Sequence, residues 1–145
     1  MSRPDHLFVY GTLMTTAGHA LGELLRDKSR FVAKGSIAAR LYMIDEPDGS
    51  DNRYPGALPS PDPADRVFGE VYAILDPEPV FDALDRFEAC APGYPEPYEF
   101  LLREIDVALT EGGTMRAGCY LYTWDVSEAE RIPSGRYEGT DPTIW

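Results

Sequence analysis

The stretch FVYGTL, residues 8–13, gives the first indication of the fold. A continuous apolar run predicts a strand over His6–Tyr10 that is buried on both faces. Gly11–Thr16 then reads as a loop. A buried strand that ends at a glycine can form an ordinary turn, or it can present backbone amides to a ligand. The residue pattern alone leaves both possibilities open.

The rest of the chain favours strands over helices. The patterns predict two helices, Gly18–Arg26 and Pro77–Glu88. They predict strands over Arg66–Leu75, Phe100–Leu109 and Met115–Trp124, and two strands within Phe31–Ile44 interrupted near Gly35. The remaining segments are a loop over Asp45–Gly56, a short apolar stretch at Tyr54–Pro59 and an irregular tail over Arg131–Trp145. The sequence TEGGT between the last two strands predicts a hairpin. Regular βαβ alternation is missing, so a small β-barrel or curved mixed sheet fits better than a doubly wound fold. We expect one α+β domain over residues 1–145, a small mixed β-barrel with short flanking helices.

Composition narrows the class of function. The net charge is −12, from 25 acidic residues against 13 Lys and Arg, and this argues against a nucleic-acid partner. The sequence has no apolar run long enough to cross a bilayer and no start typical of a signal peptide, so we expect a soluble, cytoplasmic protein without a membrane partner. Two cysteines and two histidines suggest no metal site. Cys90 and Cys119 are expected to be buried thiols rather than a disulfide.

Glu88 is the most informative polar residue. Helical spacing places it on one stripe with Phe81 and Leu84, which are expected to face the core. A partly desolvated carboxylate at a helix C-terminus should have a raised pKa, in the range useful for general acid–base catalysis. Alternatively, the helix ends before Glu88 and the side chain reaches solvent or pairs with Arg103. A nucleophilic Cys90 is a weaker candidate, because no spacing links it to a histidine.

Five short motifs then occur in a fixed order. They are FVYGTL, YPGAL at 54–58, GEVY at 69–72, LDRFEAC at 84–90 and RIPSGRY at 131–137. This set resembles the γ-glutamylcyclotransferase-like family, and within it the γ-glutamylamine cyclotransferase branch. The resemblance covers roughly residues 7–137 and implies a small mixed β-barrel whose cavity binds a γ-glutamyl group.

The resemblance also implies a reaction and a site. The substrate's α-amine attacks its own γ-carbonyl and releases 5-oxoproline and an amine, without metal or cofactor. Glu88 takes the role of general acid and base, and the loop after the first strand binds the substrate through Tyr10, Gly11, Thr12 and Leu13. A family tyrosine that lines the site corresponds to Tyr98, with Tyr94 as the alternative, or to neither of them, since Phe100 also fits the register.

Some positions depart from the family pattern. Ala89 follows the glutamate where glycine is common, and Phe100 stands where an arginine is frequent. Arg136 and Tyr137 replace a frequent aspartate and tryptophan. These changes affect the expected leaving-group pocket. They motivate a second hypothesis, a non-catalytic small-molecule binding protein of the same fold. A third hypothesis, an interaction module that docks a basic partner, rests on net charge alone.

Overall fold

The structure, a computed structural model, describes residues 5–10, 27–45, 53–87 and 100–135 of the 145-residue chain. Strands dominate this part of the chain, as the alternating apolar patterns predict. The elements are β1 His6–Val9, β2 Ser29–Asp45, β3 Arg53–Pro59, β4 Arg66–Ile74, α1 Pro77–Phe87, β5 Phe100–Leu109, β6 Thr114–Tyr122 and β7 Glu130–Ile132.

Five of the strands close into a barrel, in the order β2, β4, β1, β6, β5 and back to β2. Closure depends on a short pairing of β2 with β5, in which Gly35 lies opposite Leu109 and Ser36 opposite Ala108. The barrel is mixed, because β1 and β6 are parallel while the other neighbours are antiparallel. The expected α+β fold with a small mixed β-barrel is therefore confirmed.

The strand β1 is one of the barrel strands, between β4 and β6. Its side chains alternate between two apolar clusters. Leu7 and Val9 belong to a cluster that includes α1, which we call the helix-side cluster. Phe8 and Tyr10 belong to a cluster drawn from six strands, which we call the barrel cluster. Each residue from Leu7 to Tyr10 is at most 7% exposed. Burial of β1 on both faces is thus confirmed.

The prediction of two strands within residues 31–44 is wrong, because β2 continues through Gly35 without a break. Here the glycine allows strands to approach closely. A Cβ atom on Gly35 would come within 2.7 Å of Val107 Cγ1 and 2.8 Å of the Ala108 carbonyl oxygen. The actual irregularity lies earlier, where the register with β4 shifts between Phe31 and Ala33.

The second half of β2 extends beyond the barrel and forms a small sheet with β3 and β7. Two predictions fail in this region. Residues 53–56, expected in a loop, belong to β3, and residues 131–132 of the expected irregular tail belong to β7. A three-residue strand such as β7 is too short to show an alternating pattern. It exists because Glu130–Ile132 pairs with Leu41–Met43.

The strands β4, β5 and β6 agree with the predictions to within two residues. The TEGGT hairpin is confirmed, with positive φ angles of 111° at Gly112 and 88° at Gly113. The turn is closed by a 2.9 Å hydrogen bond from Leu109 N to Gly113 O. The predicted helix Gly18–Arg26 lies outside the described residues. No helix in the described ranges combines the length and apolar character needed to cross a membrane.

Candidate active site

Tyr10 follows β1 and immediately precedes Gly11–Leu13, the residues that the family resemblance assigns to substrate binding. Its hydroxyl donates a hydrogen bond to the carbonyl oxygen of Tyr120 at 2.7 Å. It also accepts one from the backbone N–H of Ala57 at 3.1 Å. Both bonds are buried, so the hydroxyl joins β1 to β6 and β3 inside the barrel.

The helix α1 packs on the outer side of β1. Val80 and Phe81 are fully buried and share the helix-side cluster with Leu7 and Val9. Asp82, the next residue along the helix, is exposed, as predicted. Apolar burial on one side of the helix therefore joins it to the strand that leads into the candidate substrate loop.

A carboxylate lies on the same side of the sheet. Glu70 is in register with Val9 on β1 and with Lys34 on β2. Directly opposed residues of antiparallel strands point to the same face, so Glu70 lies on the face of Val9. The hydroxyl of Tyr72 donates a 2.6 Å hydrogen bond to Glu70 Oε1. Glu70 has no predicted role beyond its place in GEVY, although a charged residue two positions before Tyr72 on an alternating strand is a pattern that could indicate one.

Aromatic rings form a wall beside this face. Phe100 and Tyr122 make an edge contact with ring centroids 5.3 Å apart, and Tyr122 and Trp124 make another at 6.3 Å. Tyr120 and Tyr122 are buried, which confirms that they serve as core or wall. Phe100, where an arginine is frequent in the family, is only 6% exposed and adds an apolar ring to the helix-side cluster.

A polar cluster around Asp65 fastens the connection between β3 and β4. Asp65 accepts hydrogen bonds from Ser60 Oγ at 2.7 Å, from Arg40 Nε at 2.7 Å and from Arg131 Nη2 at 3.0 Å. The bonds from Ser60 and Arg40 are the largest causes that lower the pKa of Asp65 to about 2. These contacts join the connection to β2 and β7, which gives the cluster a structural role.

A groove of about 300 Å³ opens in the barrel wall beyond the short β2–β5 pairing. Its lining comes from β2, β3, β5 and β6, and includes the exposed residues Glu104, Asp106 and Arg116. None of the lining residues belongs to β1 or α1. Tyr10, the described residue of the site that the family resemblance implies, is not among these lining residues.

Of the predicted site residues, Tyr10 alone falls within the described ranges. Gly11, Thr12, Leu13, Glu88 and Tyr98 lie outside them, as do Tyr94, Cys90 and His19. The roles of those residues stay predictions. In the described part of the chain, no group of three or more His, Cys, Asp or Glu side chains is arranged to hold a metal ion. Cys119 is buried, as expected, with its Sγ 3.9 Å from the Tyr120 carbonyl oxygen.

Comparison with known protein families shows to which family the chain belongs. The model of the family described as "Gamma-glutamyl cyclotransferase, AIG2-like" matches residues 7–139. The chain belongs to this family. The match covers α1 and every described strand, except for His6 at the start of β1. It confirms the resemblance that the five short motifs indicate.

Solved structures show the same fold in distant relatives. An AIG2-like protein from Mus musculus has a TM-score of 0.70 and 21% identity, over 97% of this chain and 92% of its own. A protein titled gamma-glutamyl cyclotransferase has a TM-score of 0.61 and 19% identity, over 88% and 69% of the two chains. An uncharacterized protein from Pyrococcus horikoshii has a TM-score of 0.57 and 21% identity, over 92% and 89%. Comparison with curated proteins found no match.

Proposed function

We propose that this chain is a cyclotransferase that releases 5-oxoproline from a γ-glutamyl amine or amide. In this reaction the α-amine of the substrate attacks the γ-carbonyl carbon and closes a five-membered ring. The C–N bond to the departing amine then breaks. Because the nucleophile belongs to the substrate, the enzyme needs no serine or cysteine, and its main task is to fold the substrate for ring closure.

Two further tasks fall to the residues that the family resemblance assigns. Glu88, as a carboxylate, removes a proton from the α-ammonium group and delivers a proton to the leaving amine, so the carboxylate is regenerated at the end of the cycle. The second proton that the attacking nitrogen loses ends on the released amine or in solvent. Backbone N–H groups of Gly11–Leu13 hold the α-carboxylate or the oxyanion that develops on the γ-carbonyl. This mechanism requires no metal ion or cofactor.

The packing of α1 against β1 is the observation that best supports this assignment. The bond from Ile74 N to Asp5 O, 2.8 Å long, joins the end of β4 to the start of β1. The helix α1 begins only three residues after Ile74 and buries Val80 and Phe81 against Leu7 and Val9. A helix that turns back along β4 at this point would run in the direction of β1, which is antiparallel to β4.

The lengths of the two elements agree with this arrangement. Eleven helical residues span about 16 Å, whereas the four residues of β1 span about 10–13 Å. A helix that starts near the beginning of β1 can therefore end beside its far end. This supports a site in which Glu88, the residue after α1, meets the loop that follows Tyr10.

A screen for 5-oxoproline tests the proposal. The candidates are γ-glutamyl amines, γ-glutamyl dipeptides and glutathione. We expect turnover of at least one, and we expect Glu88→Gln to lower it about 10²–10⁴-fold. The control Asp82→Asn makes the same carboxylate-to-amide change on the exposed side of α1 and should leave turnover unchanged. Normal turnover by Glu88→Gln would refute the mechanism, and no turnover of any candidate would refute the function.

The second candidate function is a binding protein of the same fold without catalysis. The buried apolar ring of Phe100 favours it, because this position supplies no guanidinium group to a substrate. On this hypothesis glutamate or 5-oxoproline raises the melting temperature, while no γ-glutamyl compound yields product. Product formation by the wild-type protein would exclude it.

A further inference from the structure

We propose that Glu70 is a further substrate-binding residue, whose carboxylate receives the α-ammonium group of the γ-glutamyl substrate. The inference rests on the proposed function and adds to it a recognition element for the amino group. It assigns a role to a described residue on β4 that lies next to the end of β1.

The strand register places Glu70 beside the candidate site. Glu70 is opposite Val9, and Val9 immediately precedes Tyr10, the last described residue before the substrate loop. Glu70 is also on the side of the sheet that α1 covers, together with Tyr72 and Val9 of the helix-side cluster. A ligand held between the end of β1 and the end of α1 would meet this carboxylate.

The immediate surroundings orient the carboxylate and leave it with binding capacity. Tyr72 donates to Oε1 at 2.6 Å, which fixes one oxygen. Among the residues that the structure describes, Tyr72 is the one side chain that hydrogen-bonds to Glu70. Lys34 is opposite Glu70 on β2, but the two form no ion pair within the described ranges. Since an ionised carboxylate has about four acceptor positions, Glu70 can still accept bonds from a cation.

The chemistry of this position suits an ammonium group. Glu70 is half-buried, and its neighbours on this face of β1 and β4 are mainly apolar. A charge pair with hydrogen bonds is stronger there than in open solvent. An ammonium group offers three N–H donors to the carboxylate. Holding this nitrogen in place would also position the atom that attacks the γ-carbonyl.

Two probes that differ only in the α-amine test the proposal. N5-butyl-L-glutamine carries the α-amine, and N-butylglutaramic acid has hydrogen in its place. Binding of both is measured by calorimetry in a Glu88→Gln background, which prevents turnover. With glutamate at position 70, we expect the amine-bearing probe to bind at least about tenfold more tightly, as a charge-assisted hydrogen bond predicts. With Glu70→Gln, we expect the two affinities to agree within about twofold.

Three comparisons test whether the change in binding preference comes from the Glu70 carboxylate itself. Glu70→Gln retains an oxygen that can accept the bond from Tyr72, so the fold should persist, and the melting temperature checks this. Glu104→Gln removes the same charge from an exposed position on β5 and should preserve the tenfold preference. Tyr72→Phe leaves the carboxylate in place without its orienting bond and should reduce the preference without abolishing it.

The outcomes separate this inference from the proposed function. An unchanged preference in Glu70→Gln, or an equal loss for both probes, would overturn the role of Glu70. Release of 5-oxoproline from N5-butyl-L-glutamine by the otherwise unmodified chain would show that the proposed function survives that result. If that chain releases no 5-oxoproline and neither probe binds, the result would count against both the proposed function and the role of Glu70.

Discussion

The hydroxyl group of Tyr10 should be a main contributor to the stability of this barrel. It makes two buried hydrogen bonds, one to the carbonyl oxygen of Tyr120 on β6 and one from the N–H of Ala57 on β3. The substitution Tyr10→Phe removes only this oxygen and keeps the ring in the barrel cluster. The effect of the two bonds can therefore be measured without creating a large cavity.

The expected loss of stability follows from what the missing oxygen leaves behind. The Ala57 N–H becomes a buried donor without its partner, which costs about 1–3 kcal/mol, and loss of the bond to Tyr120 adds about 1 kcal/mol. We therefore expect a loss of about 2–4 kcal/mol, a large share of the 5–15 kcal/mol typical of a domain. For a chain of this length, that corresponds to a fall in melting temperature of about 5–15 °C.

Urea and thermal unfolding of the wild type and Tyr10→Phe measure this loss directly. Tyr42→Phe is the matched control, because Tyr42 is a half-buried tyrosine at the edge of the helix-side cluster. Its variant should lose less than half as much stability. A melting temperature for Tyr10→Phe within 1–2 °C of the wild type (about 0.5 kcal/mol or less) would refute the claim that the two bonds hold β3 and β6 together.

Two other substitutions test the packing and the charge distribution. A Cβ atom on Gly69 would overlap the carbonyl oxygen of Val9, so Gly69→Ala should cost about 1–3 kcal/mol or more, and a stable variant in urea unfolding would contradict this close approach. The pKa of Asp65 is lowered from 3.8 to about 2 by the fold, so its contribution to stability is present above about pH 4 and is lost as the pH falls towards 2. Asp65→Asn should therefore lower the melting temperature at pH 7 and flatten its decline between pH 4 and 2. Asp106→Asn, at an exposed ion pair, should change neither, and equal pH profiles for Asp65→Asn and the wild type would refute this account.

The sequence predicts those parts of the fold in which the local pattern and the tertiary environment agree. β1 is apolar at successive positions because it has a cluster on each face, and β4 alternates because it separates the same two clusters. The predicted break near Gly35 is wrong because the sequence does not distinguish a glycine that ends a strand from a glycine that lets a neighbouring strand approach closely. β7 was missed because its three residues owe their conformation to pairing with β2.

The candidate site was predictable to a smaller extent, because its contacts join residues that are distant in sequence. Family resemblance indicates that the end of β1 matters, but no local pattern shows that the Tyr10 hydroxyl bonds to residues 47 and 110 positions away. The sequence shows Glu70 as a charged residue on a strand with an alternating pattern. Its position opposite Val9 depends on the register of β1 and β4, which one sequence does not reveal.

The contacts of Tyr10 give a physical reason for two family motifs to occur together. β3 pairs with β2 along one edge, while its other side lies against β6, where a Cβ on Gly56 would come within 3.0 Å of Tyr122 Cβ. This close approach leaves the Ala57 N–H without a strand partner on that side, and the Tyr10 hydroxyl takes that place. YPGAL therefore supplies the backbone N–H of Ala57, which donates a hydrogen bond to the tyrosine of YGTL. Together the two motifs hold the end of β1 in position. The residue immediately before Gly11 is thus held through its side chain by two strands. If the proposed function holds, substitutions at Gly56 should impair catalysis through this anchor, although Gly56 itself lies on β3.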